Sequence, residues 1–446
     1  MVHLLRISKG RDPPAQALPQ TGTHQTPSSC VGTVPKSILH NLFANNPDSV
    51  FFHHAQLLVI NHLAEGSGPT DFWYYYAMPL AHSITPLKYA ICALGAAHWH
   101  FLVSDPGNSH TSKDLILRSE IAAIERCNAA IEHIQSFSQS FTSDMDAYVL
   151  MMCCVIFVCI ENLLGRYSES VRHLRAGSSL LSSRSAPWAT LSAAPDLKNA
   201  LFIVFYKLGH DSAIFNNNNA LGNLASGFPV PDMGSRYEPF ASYEEASKSL
   251  RQVDLIYNIS FASAVAAPDH SLITANESPR QEYLSLRSAR EALSIWNQRF
   301  KILQQSSDQY LQQQPQNHQP GFAKLLLDQS IWGLLTEMTT FKDPVSVGSC
   351  ESVLSKIESL VPMCESQRHR TFAIGSDIVP VLALICVSCK DRDTRLRSVA
   401  TLRSLGRREG VWDSGQVAEA CEALIMDRYM GQQDTKRNGQ GAFVQR

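Results

Sequence analysis

The chain has 446 residues, of which 44% are apolar and 17% charged, a composition that excludes disorder throughout its length. Its formal net charge of −2 excludes a globally basic surface for nucleic acid. The eleven cysteines are scattered, and Cys153, Cys154 and Cys159 lie inside an apolar run. That placement is typical of buried free thiols rather than of a disulfide framework. We therefore expect a reducing, intracellular compartment.

The two ends of the chain differ from its long middle part. Residues 1–35 carry Pro, Gln, Thr and Ser without hydrophobic periodicity, and we interpret them as a disordered tail. The apolar run at the N-terminus is too short for a secretory signal. Amphipathic periodicity then recurs along the chain, and we expect one helical domain over 36–430. Residues 431–446 are polar and are predicted to form a frayed tail.

The first predicted helix has an apolar face that ends before Gly66. Its members are Phe51, Phe52, Ala55, Leu58, Val59 and Leu63. A second helix is predicted to start with Thr85 as N-cap and Pro86 at the first helical position, and to run through Phe101. Its many small residues favour a close approach to another helix. These residues are Ala90, Ala93, Gly95, Ala96 and Ala97.

An amphipathic helix is predicted next, over Lys113–Phe137. Branched and small apolar side chains recur there at helical spacing, which indicates one inward-facing stripe. We expect that inner face to consist of Leu117, Ile121, Ile124, Ala130, Ile131 and Ile134.

The run Ser143–Ser183 is the centre of the predicted fold. Every residue from Tyr148 to Ile160 is apolar, so a helix there must be surrounded by other protein or by lipid. A bilayer span needs about 20 apolar residues, and this run has thirteen, which favours a buried core helix. Gly165 can end that helix in a left-handed conformation. An amphipathic helix then completes a hairpin, with Val171, Leu174, Leu180 and Leu181 inward and Glu169, Arg172 and Arg175 outward.

Several later helices have clear start signals. Pro195 and Asp196 open a helix through Leu208. Capping-box spacing predicts helices over 242–266 and 278–304. Residues 304–320 are glutamine-rich, and we interpret them as a solvated connection within the domain. The remaining predicted helices are Phe322–Phe341, Val353–Met363, Ser376–Lys390, Asp393–Arg408 and Ser414–Met430. With about a dozen helical segments and no strand alternation, we predict an irregular multi-helix, all-α fold.

Few patterns in the sequence are typical of metal binding or catalysis. Cys386 and Cys389 have C-x-x-C spacing, but they lie in an apolar helical run without a second pair, so we interpret them as buried thiols. The histidines at 53–54 and at 98 and 100 would diverge on a helix. Ser168 is interpreted as a helix N-cap, and neither H-E-x-x-H, G-x-S-x-G nor a glycine-rich phosphate loop occurs. We expect no enzyme, and we predict no catalytic, cofactor-binding or metal-ligating residue.

A basic segment near the C-terminus interleaves cations with apolar residues. The cations are Lys390, Arg392, Arg395, Arg397, Arg403, Arg407 and Arg408, and the apolar positions are Leu396, Val399, Leu402 and Leu405. We expect the apolar residues to form one helix face and the cations to form the opposite, solvated face. A nuclear-import or partner-binding patch is the sharper alternative. Asp391, Asp393 and Glu409 dilute the segment as a nucleic-acid stripe.

Six stretches of the chain form a recognisable series. They are FFHHAQLLVINHL, TDFW, AICALGAAHWH, CNAAIEHIQ, LMMCCVIFVCIENLLGRYSESVRHLRAGSSLL and SCKDRDTRLRSVATLRSLGRREGVWDS. In order and spacing they resemble the regulatory, or middle-homology, region of fungal-specific transcription factors. The resemblance extends from about Ile38 to Ala423, and its most specific part is the R-R-E-G-V-W-D-S element together with the central helix. It implies a helical regulatory domain of the kind that follows a binuclear zinc cluster.

The zinc cluster of that family needs a compact group of cysteines. Cys30 is the only cysteine before Cys92, so we expect no such DNA-binding module in this chain. Basic residues for phosphate contacts are also sparse in the N-terminal tail, being limited to Arg6, Lys9, Arg11 and Lys36. Direct DNA binding therefore stays open. So does the alternative that the full gene product carries the cluster upstream of Met1.

From these observations we predict that the protein is a nuclear transcription regulator that works through protein contact or ligand sensing. The resemblance further implies control of a metabolic or secondary-metabolite gene cluster. The alternative is a helical interaction or ligand-binding scaffold outside transcription, located in the cytoplasm. The expected partners are proteins of transcription regulation, with no cofactor and no membrane. Target genes, activation or repression, any ligand and the oligomeric state stay open.

Overall fold

A computed structural model describes residues 47–60, 63, 72–104, 112–138, 144–182, 195–216, 230–265, 278–310, 320–340, 343–364, 370–374 and 378–426. In the N-terminal half, helix α1 (Pro47–His54) continues into a π-helical turn (Ala55–Val59), and a second π-helical turn (Phe72–Ala77) leads into α2 (Met78–Ala81). The helices that follow are α3 (Thr85–Val103), α4 (Lys113–Ser138), α5 (Asp144–Leu163), α6 (Tyr167–Ser182) and α7 (Pro195–Asn216). The predicted tails 1–35 and 431–446 lie outside the described residues.

The C-terminal half is also mostly helical. Its elements are α8 (Tyr243–Val265), α9 (Ser278–Tyr310), α10 (Pro320–Glu337), α11 (Val347–Cys364), β1 (Thr371–Ala373), α12 (Val379–Ser388), α13 (Arg392–Leu405), β2 (Arg407–Glu409), β3 (Trp412–Asp413) and α14 over 414–426. The all-α fold class is therefore confirmed.

Three short strands form a small sheet, in the order β1-β2-β3, that the sequence did not predict. β1 runs parallel to β2, and β2 runs antiparallel to β3 with Glu409 opposite Trp412. Gly406 and Gly410 adopt left-handed φ angles of 52° and 55°. The prediction that the basic helix continues to Arg408 was wrong, because left-handed Gly406 ends α13 and the next residues extend into β2.

Helix α5 lies in the hydrophobic core, as predicted. Every residue from Tyr148 to Ile160 is buried except Leu150, which is half-buried. The helix Met145–Leu163 is long and apolar enough to cross a membrane by length and composition, so the short apolar run alone did not exclude a span. However, 89% of its apolar window is buried inside the protein, as expected of a core helix.

The buried apolar side chains of the described residues form two clusters. The first comprises side chains from 51–208 together with Phe372 of β1 and Ile374 directly after it, and the second comprises side chains from 233–425. Along the chain, the first cluster gives way to the second between 208 and 233, upstream of the glutamine-rich segment at 304–320. Helix α9 runs to Tyr310, so it extends beyond its predicted end at 304.

Small residues allow close helix crossings, as predicted for α3. A Cβ atom at Gly95 would lie only 2.0 Å from the carbonyl oxygen of Phe51 in α1. On α6, a Cβ atom at Gly177 would lie 2.2 Å from the ring of Phe205 in α7. Both crossings therefore require the absence of a side chain at the glycine.

The predicted inner face of α4 was wrong in part. Leu117 and Ile121 are 55% and 44% exposed, whereas Ala122, Ala123 and Ala130 are buried. Helix α4 packs along α3, whose own surface is made of small residues. Helices that approach closely need small residues on both sides of the contact, so the alanines face inward and the larger side chains turn outward.

Local predictions at three helix positions also failed. Leu58 is 46% exposed, because the π-helical turn that contains it has more residues per turn and shifts the phase of the apolar face. Thr85 is already helical and is not the N-cap of α3. Ser168 lies inside the first turn of α6 rather than before it. Ser242, in contrast, accepts the backbone N–H of Glu245 at 3.1 Å, as the capping box predicted.

Gly165 ends α5 with a φ of 72°, as predicted. Its N–H donates to the carbonyl of Asn162 at 3.2 Å, and the N–H of Arg166 donates to the carbonyl of Glu161 at 2.8 Å. This is the Schellman pattern, which satisfies carbonyls at the helix end and reverses the chain. Helix α6 then packs on α5 with Val171, Leu174 and Leu181 buried and Arg172 and Arg175 exposed, which confirms the hairpin.

Candidate functional site

A cleft of about 450 Å³ lies between α4, α5 and α6, a volume in the range of small-molecule sites. Ile124 and Ile131 line it from α4, Phe157 from α5 and Ala176 from α6. The Phe157 ring also packs against the ring of His173, with centroids 5.1 Å apart. Because the Schellman turn fixes α6 against α5, these two helices form a preformed wall and floor.

Glu161 is a half-buried acidic residue that lines the cleft. It lies in the last turn of α5, directly after the apolar run. Its Oε2 atom is buried and has no hydrogen-bond partner among the described residues. Burial raises the pKa of Glu161, and the charges of Arg166 and Arg172 oppose this only in part. A buried acceptor without a donor destabilises the fold, so this carboxyl group is not explained by packing.

Both arginines at the cleft are engaged with other carboxylates. Nη2 of Arg166 donates to Oε1 of Glu120 at 2.8 Å. Arg172 pairs with Glu169 one turn away on α6. These two pairs cancel their own charges, so Glu161 stands as the carboxyl group in the cleft without a cation bound to it within the described residues.

The remaining titratable groups of the cleft are held neutral. Burial and the nearby charge of Glu161 raise the pKa of Cys127 to about 12, so its thiol stays protonated at neutral pH. Burial and Arg172 lower the pKa of His173 below its ordinary value, so its imidazole is mainly neutral near pH 7. A protonated thiol is a poor nucleophile. The cleft is therefore suited to binding rather than to nucleophilic catalysis.

The R-R-E-G-V-W-D-S element forms a buried junction between the two hydrophobic clusters. Arg408 in β2 donates to Oδ2 of Asp413 through Nε at 3.2 Å and Nη2 at 3.0 Å. Its Nη1 donates to the carbonyls of Asn162 and Leu163, each at 3.1 Å. These carbonyls end α5, where the helix dipole favours a cation. The guanidinium also lies 5.0 Å from the ring centroid of Phe101.

The acidic residues of the same element complete two helix starts. Oδ2 of Asp413 also accepts a hydrogen bond from Nη2 of Arg370 at 2.7 Å. Its Oδ1 accepts hydrogen bonds from backbone N–H groups at the start of α14. Glu409 is fully buried, and its Oε2 accepts the backbone N–H groups of Ile378 and Val379 at the start of α12. These acceptors satisfy N–H groups that have no partner inside a helix. The most specific part of the resemblance thus has a structural role.

Three predicted solvated cations do not lie on a solvated helix face. Arg395 is buried, and its Nε donates to the carbonyl of Cys386 at 2.7 Å. Arg407 and Arg408 belong to β2, because the helix ends before them. Leu396, predicted on the apolar face, is 36% exposed. The assignment of these residues to two opposite faces of one helix was therefore wrong.

Two exposed arginines of α13, Arg397 and Arg403, are paired with acidic residues of neighbouring helices. Arg397 contacts Glu358 of α11 at 2.6 Å. Arg403 forms an ion pair with Glu422 of α14. Such pairing weakens the local positive potential that a phosphate backbone would need. The described part of this segment is a paired, solvated surface rather than a continuous basic stripe.

The cysteines that the sequence singled out are buried free thiols, namely Cys153, Cys154, Cys159, Cys386 and Cys389. The Cys386 thiol donates to the carbonyl of Arg395 at 3.6 Å, and the neighbouring Cys421 and burial raise its pKa. Cys389 instead neighbours Cys350, and burial and Cys389 raise the pKa of Cys350 to about 12. The two members of the C-x-x-C pair therefore have different partners, as expected for core thiols.

The histidines are placed differently from one another. His98 is buried and lies 3.0 Å from His54 across the contact of α3 with α1, a pairing that the sequence did not predict. His100 points the other way, toward the carbonyl of Ile116 and the hydroxyl of Ser119 in α4. Among the residues that the structure describes, no group of three or more His, Cys, Asp or Glu is placed to hold a metal ion.

Sequence reasoning missed the cleft and treated Glu161 only as the end of the apolar run. One signal was available. A carboxylate in the last turn of a helix faces the negative end of the helix dipole, and Glu161 does so directly after thirteen apolar residues. The contributions of α4 and α6 had no comparable signal, because they depend on how three helices pack.

Part of the chain is similar in sequence to known proteins of one family. Residues 55–207 match the fungal specific transcription factor domain, within the range over which the sequence resemblance was placed. A segment of 192 residues, 41% of this chain, is 25% identical to the aspercryptin biosynthesis cluster-specific transcription regulator of Emericella nidulans. That match spans 29% of the relative's length. No solved structure matches the chain.

Proposed function

We propose that this chain, whose residues 55–207 match the fungal specific transcription factor domain, regulates transcription through contacts between its helical domain and other proteins. The observation that carries the proposal is that the matched range contains α5 and the whole hairpin. The matched relative is a cluster-specific regulator of a biosynthesis. By analogy, we place this chain in the nucleus and assign it control of a metabolic or secondary-metabolite gene cluster.

The charge arrangement supports protein contact as the mode of action of the described residues. Phosphate recognition depends on clustered, accessible Lys and Arg. In the basic segment, Arg397 and Arg403 are engaged with carboxylates, and Arg395 and Arg408 are buried. The pairing or burial of these four arginines reduces the positive surface that direct DNA binding by this segment would need.

The test is a reporter assay in fungal cells with the full chain fused to a heterologous DNA-binding domain. We expect reporter output to differ from that of the DNA-binding domain alone, and deletion of the gene to change transcripts of one gene cluster. Ile156→Asp, in the buried core of α5, should remove the reporter effect, while Leu117→Asp at an exposed position of α4 should keep it. Exclusion of a tagged chain from the nucleus, with reporter output and transcripts unchanged, would contradict the proposal.

A further inference from the structure

The cleft between α4, α5 and α6 presents one buried hydrogen-bond acceptor and no donor that meets it. Oε2 of Glu161 is enclosed and has no partner among the described residues. The nearest cations, Arg166 and Arg172, are paired with Glu120 and Glu169. Glu161 lines the cleft and is only half-buried as a residue, so a donor bound in the cleft can hydrogen-bond with its carboxylate group. A buried acceptor that has no donor is unfavourable.

The other residues that line the cleft indicate what kind of molecule would carry this donor. Phe157, Ile124 and Ile131 supply apolar surface, and the neutral ring of His173 packs on Phe157. Sites for small molecules combine such apolar walls with a few placed polar groups. The volume of about 450 Å³ admits a body of one ring with a short chain.

We propose that this cleft binds a small apolar molecule bearing an amine or a hydroxyl group. The apolar body packs against Phe157 and Ile131, and the N–H or O–H group donates to Glu161. A carboxylate on the same body binds more weakly, because it offers no donor at neutral pH and carries the same charge as Glu161. Binding at this site is independent of the proposed role in transcription, so either proposal can fail alone.

Three compounds with one phenylbutyl body test the proposal by isothermal titration calorimetry on the full chain. They are 4-phenylbutylamine, 4-phenylbutan-1-ol and 4-phenylbutyrate, which differ only in the terminal group. We expect the amine and the alcohol to bind with a Kd at least about tenfold lower than that of the carboxylate, equivalent to about 1.4 kcal/mol.

Matched variants assign the binding to the cleft. Glu161→Gln keeps the shape and removes the charge, so the affinity for the amine should fall about tenfold and its advantage over the carboxylate should vanish. Ala176→Phe fills the cleft from an exposed position of α6 and should abolish binding of all three compounds. Glu132→Gln, at an exposed position of α4, removes the same charge elsewhere and should change nothing.

Several results would overturn the proposal. They are absence of binding by all three compounds up to their solubility, strongest binding by the carboxylate, or an unchanged amine affinity in Glu161→Gln or Ala176→Phe. Circular dichroism establishes that each variant is folded. If Glu161→Gln is not folded, Ala176→Phe alone decides, because an exposed position tolerates the larger side chain.

Discussion

Replacing Arg408 with Met removes the guanidinium that joins the two hydrophobic clusters while keeping a side chain of similar length. The wild-type side chain donates twice to Asp413 and once each to the carbonyls of Asn162 and Leu163. Methionine can donate none of these hydrogen bonds. The substitution therefore tests whether the junction, rather than general packing, holds α5 to the C-terminal half.

The expected magnitude follows from what the substitution leaves behind. Removing one partner of a buried ion pair destabilises a protein by about 3–5 kcal/mol. Arg370 still donates to Asp413 at 2.7 Å, so the remaining carboxylate is not isolated and the lower end of that range applies. The carbonyl of Asn162 also keeps the N–H of Gly165. We expect a loss of about 3 kcal/mol in the free energy of unfolding.

Urea unfolding and hydrogen exchange measure this loss in complementary ways. A lower urea midpoint reports the total change. Exchange followed by mass spectrometry reports where it occurs, and α5 and α6 should exchange about a hundredfold faster, since each 1.4 kcal/mol corresponds to about a factor of ten. Arg408→Lys keeps a charge but not the planar fork, so it should fall between Met and wild type.

Arg403→Met is the matched control, because it breaks an exposed ion pair with Glu422. Exposed pairs contribute little, so this variant should stay within about 0.5 kcal/mol of wild type. An Arg408→Met variant that unfolds at the same urea concentration as Arg403→Met, with unchanged exchange in α5, would refute the assignment of a junction.

Three further predictions concern helix packing and Glu161. Gly95→Ala should destabilise the fold by about 1–3 kcal/mol in urea unfolding, because the new Cβ meets a backbone oxygen. A Cβ at Gly333 would meet open space, so Gly333→Ala should stabilise the fold by about 0.5–1 kcal/mol. Equal effects of the two substitutions would contradict the close crossing at Gly95. Ile156→Asp should unfold the domain, since an unpaired buried carboxylate costs several kcal/mol. Leu117→Asp, at an exposed position, is the matched control. A soluble Ile156→Asp chain with an unchanged unfolding midpoint would show that the site is not buried. Burial raises the pKa of Glu161 above its ordinary 4.5, so its contribution to stability is fully present below pH 4.5 and is lost as pH rises through the folded pKa. The free energy of unfolding of Glu161→Gln should therefore increase relative to wild type from acid toward neutral pH. Parallel pH profiles of the two proteins would contradict the raised pKa.

The sequence predicted the parts of the fold that depend on local pattern. Thirteen consecutive apolar residues have no stable place except inside other protein or lipid, so the burial of α5 followed directly. Gly165 could be assigned a left-handed turn because few other residues adopt that conformation without strain. The small residues around Gly95 likewise predicted a close crossing, although not that α1 would be the partner.

The parts that failed depend on contacts between distant segments. Strands of two or three residues are too short to show alternation, so the sheet gave no signal. Arg408 had the same local surroundings as the exposed arginines of α13, and only the end of α5, 246 residues earlier, explains its burial. Leu117 and Ile121 satisfied the helical pattern, but the close packing of α3 selected the alanines of α4 for the inner face.

The last turn of α5 connects the junction with the cleft. Glu161 supplies the cleft's acceptor through its side chain, and the next residues, Asn162 and Leu163, supply the carbonyls that bind Arg408. Consecutive residues of one helical turn cannot shift independently, because the Schellman hydrogen bonds to Gly165 and Arg166 hold them together. Effects of Glu161→Gln and Arg408→Met on stability should therefore deviate from additivity, as neighbouring sites do, whereas Arg408→Met and the distant Gly333→Ala should add.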